Sequence, residues 1–254
     1  MKDWDIQINY GIKTGFNEAF IISGEKRKAL IEQDPKSAEI IRPLLRGRDI
    51  KRYGYEFADL YLLFIPWHFP LHTDSTIQGS SEKAEQAFRE QYPAIYNHLS
   101  KYKKELSNRN KAETGIRYEW YALQRWGANY WEDLDRQKIV WKRVGSILRF
   151  CCDENKHMVL DSTCFATGNH IKYLVGILNS KLGNYMLQDS PKTGTGDLLI
   201  SVQAIEPLKI PLHNTEAEQQ IKNFLQVEDY KAIDIFVYGL YGLNQEEIDC
   251  IESQ

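Results

Sequence analysis

Lys138-Ile139-Val140-Trp141-Lys142, with Ile147 to Cys152 soon after it, is the stretch on which the fold turns. Short runs rich in β-branched and aromatic residues read as strands. On a strand the adjacent Cys151 and Cys152 face opposite sides. Asp153-Glu154-Asn155-Lys156 then reads as a turn into Met158-Val159-Leu160.

Upstream, Ile6 and Ile8 alternate with polar residues, Gly11 and Gly15 punctuate a loop, and Ala19 to Ile22 resumes an apolar run. Leu60 to Ile65 reads as a buried strand stopped by Pro66, and Lys36 to Leu45 as a short helix ending near Pro43. A helix starts at Pro93, whose missing N–H costs nothing in a first turn. Ile95, Leu99, Tyr102 and Leu106 give it one apolar stripe. From Ser107 to Asp135 no period holds, although its many aromatics argue against disorder.

Downstream, Ile171, Leu174, Val175, Leu178 and Leu182 outline a second amphipathic helix with Asn169 as its N-cap. Lys192 to Gly196 is a loop, and Pro207 and Pro211 bracket a short edge segment. After that, Thr215 with Glu218 and Asn244 with Glu247 have capping-box spacing. Ile221, Phe224 and Leu225, then Ile235, Phe236 and Leu240, form the apolar faces. Strands on both sides of the Pro93 helix predict an α/β fold of the mixed α+β kind. It has a mixed sheet with packed helices over residues 1–212 and a C-terminal helical tail over 213–254.

A chain of 254 residues with 43% hydrophobic and 26% charged residues suits an ordinary globular domain. Met1 to Asp5 leads into no apolar signal segment, and the longest apolar runs are far too short to span a bilayer. A soluble, cytoplasmic protein with no membrane partner is expected. Four cysteines, without CxxC spacing, read as reduced and mostly buried thiols. The net charge of −3 hides an uneven distribution. Residues 214–254 hold two lysines against nine acids, a net of −7 that leaves +4 for the rest. Bases cluster at 36–52, 101–117 and 136–149, the last with no acid at all. Such clusters form a phosphate-binding face or simply solvated faces of single elements.

Catalytic patterns fail one by one. A methyltransferase acting on a base amino group needs an Asn-Pro-Pro-aromatic loop, and no proline here follows an asparagine. The Gly-rich cofactor turn is missing too. Gly11-Ile12-Lys13-Thr14 lacks the Gly-Lys dipeptide of a phosphate loop. His68 and His72 have the spacing of a helical metal pair, which Pro70 spoils. Glu154-Asn155-Lys156 has the Glu-x-Lys form of a nuclease strand but sits where a hairpin turn explains it. No catalytic residue and no metal ligand is assigned.

Several segments taken in order resemble the TaqI-like C-terminal specificity domain of type II restriction–modification adenine methylases. They are Tyr10-Gly11-Ile12-Lys13-Thr14-Gly15-Phe16-Asn17-Glu18-Ala19-Phe20-Ile21 and Ile41-Arg42-Pro43-Leu44-Leu45-Arg46-Gly47-Arg48-Asp49-Ile50. Tyr92-Pro93 through Leu106, Arg109 and Trp120-Tyr121-Ala122-Leu123 follow. Leu178-Asn179-Ser180, Leu208 to Leu212 as a closing strand, and Val237-Tyr238-Gly239-Leu240-Tyr241-Gly242-Leu243 complete the series. The resemblance implies a prokaryotic target-recognition module for double-stranded DNA. It would direct an N-terminal adenine methyltransferase domain, in cis or as a separate subunit. S-adenosylmethionine, and Mg where a nuclease is present, would belong to that full-length enzyme and not to this chain.

Reading bases needs hydrogen-bonding side chains presented to the major groove. The long loop offers Arg109, Lys111, Arg117 and Tyr118, and Lys142, Arg143, Lys192 and Thr193 support it. Arg46 and Arg48 either hold phosphate or lock their own loop to the core. On this expectation, replacing Arg109 or Arg117 by Ala relaxes sequence selectivity and leaves folding nearly intact. Two other classes stay open: a protein-docking module of such a complex, and a metal-dependent nuclease using Glu154 and Lys156.

Overall fold

The structure, a computed structural model, describes residues 4–212 and 214–253. In chain order, β1 (Ile6–Tyr10) leads through the glycine loop to α1 (Asn17–Phe20), β2 (Ile21–Ser23) and α2 (Gly24–Gln33). A 3-10 turn, Pro35–Ile40, feeds β3 (Ile41–Leu45), and β4 (Leu60–Leu63) follows. Three helices come next: α3 (Glu82–Gln91), α4 (Pro93–Ser100) and α5 (Lys103–Asn108). The second group of strands is β5 (Lys138–Lys142), β6 (Val144–Gly145), β7 (Phe150–Asp153), β8 (Met158–Val159) and β9 (Thr163–Gly168). Then come α6 (Ile171–Asn179), α7 (Lys181–Met186), β10 (Leu198–Leu199) and α8 (Val202–Ile205). The tail is α9 (Thr215–Gln226), α10 (Tyr230–Tyr241) and α11 (Gln245–Glu252).

β5 lies inside an antiparallel sheet of order β1-β9-β5-β7, and both faces of that sheet are buried. Side chains alternate along a strand, so its residues divide between two cores. Val140, Cys151 and Phe165 enter the first, with the α3 and α4 residues Phe88, Ile95 and Leu99. Ile139, Trp141, Phe150, Cys164 and Ala166 enter the second, with Leu174, Leu178, Ile221 and Val237. The apolar run around Val140 is continuous because neither face meets water. Cys151 and Cys152 do face opposite cores, and burial pushes both thiols up, Cys152 to about 11. The second sheet, β2-β4-β3-β8, joins β3 to β8 in parallel and so ties the two halves of the chain together.

The expected helix up to Leu45 is a turn and a strand instead. Pro43 is tolerated within β3 for a reason of register. The Phe64 N–H donates to the Ile40 carbonyl at 2.8 Å, so Arg42 and Leu62 form the next hydrogen-bonded pair. Pro43 therefore falls where an N–H would point away from β4. The single helix expected from Pro93 breaks at Lys101 and Tyr102. Asp153 to Lys156 is no hairpin: β7 pairs with β5, whereas β8 pairs with β3 in the other sheet. Likewise α6 ends at Asn179, and Leu182 belongs to α7, which Ser180 caps. His170, not Asn169, occupies the N-cap of α6. Leu208 to Leu212 forms no strand, although Leu208 and Ile210 are buried in the second core.

The tail packs on the outer side of α6. Gly176 permits this, since a Cβ there would come within 2.5 Å of Ile221 Cγ2. Asn214 rather than Thr215 caps α9, and the Asn244–Glu247 capping box is present. The inward face of α10 is Ile233, Val237 and Tyr238, while Ile235 points to solvent. Buried among the apolar residues is a polar junction. Asn179 Oδ1 accepts from the Phe150 N–H at 3.0 Å, and its Nδ2 donates to the Phe150 carbonyl at 2.6 Å. The Asn179 carbonyl takes two bonds from the Arg52 guanidinium, at 3.0 and 2.8 Å. Arg52 also reaches Asp234 of α10 at 3.4 Å, and the Lys181 N–H donates to the same carboxylate at 2.9 Å. Tyr53 stacks on Tyr230 with ring centroids 4.4 Å apart.

At the far end of β5 and β7, Lys138 and Asp153 are fully buried and 2.7 Å apart, with His157 Nδ1 2.8 Å from the same carboxylate. Burial would raise this carboxyl, but the His157 hydrogen bond and the Lys138 charge outweigh it and hold it at about 2. A depressed carboxyl stabilises the fold above its unfolded value of 3.8 and loses that contribution as pH falls toward 2. Stability should therefore decline with acid mainly between about pH 4 and pH 2. Asp153→Asn, which leaves Lys138 buried without a countercharge, should cost about 3–5 kcal/mol in a denaturant titration at pH 7. An unchanged unfolding midpoint would contradict the assignment.

Candidate nucleic-acid interface

The register of the larger sheet places particular residues at each of its two ends. Tyr10 at the end of β1 pairs with Cys164, and Lys142 at the end of β5 pairs with Thr163 at the start of β9. Trp141 pairs with Phe150, so the residues just before β7 belong to the same end. Lys13, Lys142, Arg143 and Arg149 are thus gathered there from three separate stretches of chain. The opposite end carries Asp5, Asp135, Asp153 and Glu154 around Ile6, Lys138 and Gly168. Arg136, Lys138 and Lys172 pair with Asp133, Asp153 and Glu154 there, so the charges of that end are largely matched, whereas the cations of the first end have no ion-pair partner among the described residues.

Four further segments close on the basic end. Lys13 and Arg125 exchange backbone hydrogen bonds at 2.9 Å, which sets two exposed cations side by side. Arg143 donates its N–H to Ser162, and its guanidinium lies 5.7 Å from the Tyr10 ring centroid. Its Nε has no hydrogen-bond partner among the described residues. The Arg46–Asp49 turn comes up against Lys142, because a Cβ on Gly47 would stand 3.1 Å from Lys142 Cγ. β10 pairs with β6, and that pairing hangs the Lys192–Asp197 turn beside Gly145. Thr193 donates its N–H to Asp197 at 2.8 Å, and its hydroxyl is 2.8 Å from that of Thr195. Asp49, which is paired with Arg46, Asp161 and Asp197 are the acids in these same segments. Lys13, Arg48, Arg125, Lys142, Arg149 and Lys192 are exposed and have no ion-pair partner among the described residues.

The sequence-derived candidates divide accordingly. Arg48, Lys142, Arg143, Lys192 and Thr193 are brought together at this end. Arg46 sits beside them but is spent on its own loop: Nε and an Nη donate to the two oxygens of Asp49 at 3.0 and 2.8 Å. Asp49 also accepts from the Arg46 N–H. Lys111 and Arg117 are exposed but in a separate turn, where Arg117 pairs with Glu113 at 2.8 Å and lies 5.4 Å from the Trp67 ring centroid.

Arg109 and Tyr118 are turned inward. The Arg109 guanidinium donates to the carbonyls of Thr14, Trp120 and Ala122, and burial lowers its pKa to about 10. Tyr118 is fully buried, stacked on Trp67, with its hydroxyl accepting from Thr114 at 3.1 Å. Trp120 and Tyr121 are core residues of the first cluster. The aromatic half of the long loop is therefore scaffold, and its guanidinium is the bolt that holds it to the glycine loop.

Residues outside the sequence-derived set also stand at the basic end. Lys13 and Arg125 are adjacent only through a backbone bridge between distant segments, which no spacing signals. Arg149 was visible as part of a basic cluster. Two other members of that cluster, Arg136 and Lys138, belong to the opposite end and pair with Asp133 and Asp153. Glu154 pairs with Lys172 at 3.1 Å and Lys156 occupies a left-handed turn, so they do not share a strand as a nuclease would need. His68 binds Glu119 at 2.9 Å while His72 stacks on Phe69. Among the described residues no His, Cys, Asp or Glu group of three or more could hold a metal ion, and no helix is long and apolar enough to cross a membrane.

Comparison with known proteins gives three findings. The family described as the TaqI-like C-terminal specificity domain matches residues 42–205. A type II methyltransferase of Methanocaldococcus jannaschii, M.MjaIV, is 24% identical over 98% of this chain and 76% of its own length. A structure of the Type IIL restriction-modification enzyme MmeI in complex with DNA shares the fold, with a TM-score of 0.62 at 12% identity. That likeness covers 94% of this chain, which spans only 33% of the MmeI chain.

The inward position of Arg109 sets a test that replaces the expected loss of selectivity. Arg109→Ala should destabilise the chain by about 2–5 kcal/mol, because three carbonyls lose their donor together. Arg109→Lys should rescue little, since an ammonium lacks the planar fork. Arg117→Ala should leave the unfolding midpoint nearly unchanged. Equal midpoints for Arg109→Ala and Arg117→Ala would contradict this placement.

Proposed function

The chain belongs to the TaqI-like C-terminal specificity domains, and from that premise we propose that it reads duplex DNA with the basic end of its larger sheet. The observation that carries the proposal is the convergence of exposed cations from six stretches of chain on that one end. Such an end neutralises phosphates and fixes the register of the domain on the duplex. Arg48, Lys142, Arg143 and the Lys192–Thr193 turn are then set to meet backbone or base edges. Both cores back the sheet, so the reading groups are displayed on strand ends that cannot shift.

Chemistry on an adenine requires that the base be flipped into a methyltransferase pocket. We assign that step, and the S-adenosylmethionine it consumes, to a methyltransferase domain outside this chain. Two features support that assignment: the larger sheet is antiparallel throughout, unlike the parallel crevice that holds such cofactors, and the sequence carries no Gly-rich turn of that kind. Gly11 is packed against the Leu160 carbonyl and opens no cradle. Any nuclease, with its Mg, would likewise belong to another domain. The working partners of this chain are thus double-stranded DNA and a methyltransferase, fused or separate.

Fluorescence anisotropy with labelled duplexes over a salt series tests the reading. Affinity should fall linearly on a log–log plot, and Lys142→Ala should flatten the slope by about one unit. Lys231→Ala in the tail should leave the slope alone. Absence of binding at low ionic strength, or equal effects of the two substitutions, would refute the assigned face. Calorimetric titration with S-adenosylmethionine should give no binding heat.

A further inference from the structure

Between β6 and β7 a loop of four residues, Ser146-Ile147-Leu148-Arg149, rises from the basic end of the sheet. Its second residue is apolar and exposed. Ile147 is 65% exposed, with Ser146 and Arg149 exposed around it and Lys142 close by, its Nζ 3.7 Å from where a Gly145 Cβ would lie. The loop is not loose. On one side β6 is paired with β10, and on the other both backbone groups of Phe150 are held by Asn179. Leu148 packs against the second core. Ile147, Leu148 and Arg149 form one wall of an open cleft of about 470 Å³, opposite Asn184, Gln188 and Glu252, so the Ile147 side chain borders open space and fills no gap in the interior. A fixed loop thus presents an exposed apolar group between the exposed cations Lys142 and Arg149, at the end of the sheet assigned to DNA.

On the DNA-reading assignment made above, we propose that Ile147 is a specificity-determining residue that packs on the 5-methyl group of a thymine. That methyl is the apolar feature of the major groove and marks T·A against the other three pairs. Lys142 and Arg149 would hold the flanking phosphates while the isoleucine touches the base. No bond is made or broken. The contact is burial of one methyl group against an aliphatic side chain whose loop pays little further ordering cost on binding.

Selection from a random duplex library with the intact chain supplies the preferred sequence, and uracil placed at each selected thymine removes only the methyl group. At one position the wild-type chain should lose affinity about fourfold with uracil, the worth of one buried methyl group. Ile147→Ala should bind the thymine and uracil duplexes equally, at the level of wild type with uracil. Ile147→Val should keep most of the discrimination. The inference fails if the selected sequence holds no methyl-sensitive thymine, or if Ile147→Ala still discriminates. It fails too if that substitution changes the oligomeric state in sedimentation, which would make the residue a contact between copies. If the library yields no preferred sequence at all, the DNA-reading assignment fails and this inference with it; a preferred sequence without methyl dependence overturns the inference alone.

Discussion

Asn179 occupies a position with no access to water, where both N–H groups of its amide and its oxygen are hydrogen-bonded. Its amide replaces a missing strand beside Phe150, and its carbonyl receives the Arg52 fork that also touches Asp234. The start of β7, the loop after β3, the end of α6 and the middle of α10 therefore meet at one polar point. A buried network of this kind is stable only when complete, since each unpaired member keeps its full desolvation cost. Burial raises the Asp234 carboxyl even with two donors upon it, a measure of how dry the junction is. The Leu-Asn-Ser sequence is thus explained by its bonds: the amide for the strand, the serine as cap of α7.

Much of this was legible beforehand. The apolar run at Ile139 to Trp141, the alternation at Ile6 and Ile8, and the Asn244–Glu247 box announce elements that the structure contains. Elements with weak apolar content escape: α3 buries only Ala84 and Phe88, so its periodicity is thin although Ser81 caps it. The parallel pairing of β3 with β8 joins residues more than a hundred apart and has no local trace. For the candidate interface, composition located bases but not their direction. A guanidinium on Arg109 and one on Arg117 look alike in sequence; one is enclosed by carbonyls and the other faces solvent. Only the register of the large sheet decides which cations share an end.

That register also resolves the contradiction between a net charge of −3 and a proposed anionic partner. Counting charges treats Lys138 and Lys142 as equals. Four residues apart on one strand, they stand at opposite ends, one neutralised by Asp153 and the other exposed. Most acids of the tail lie on helices packed over α6 and α7; Glu252 of α11 reaches the cleft beside Arg149, where it pairs with Lys181. Sign matters at the surface where contact occurs, and Debye screening at about 8 Å in physiological salt limits what the remote acids can subtract.

The sheet that separates two cores has a consequence for how such a chain can change over generations. Inserting or deleting one residue within β5 would send Ile139 and Trp141 to the side built for Val140, and both interiors would be wrong at once. Length variation is forbidden in the strands. Beyond their ends it is freer, because a turn such as Lys192–Asp197 is anchored at its base and projects into solvent. Drift in a lineage of these domains should therefore accumulate as insertions and swaps at one end of an unvarying wall, a hereditary division between what must be kept and what can be rewritten.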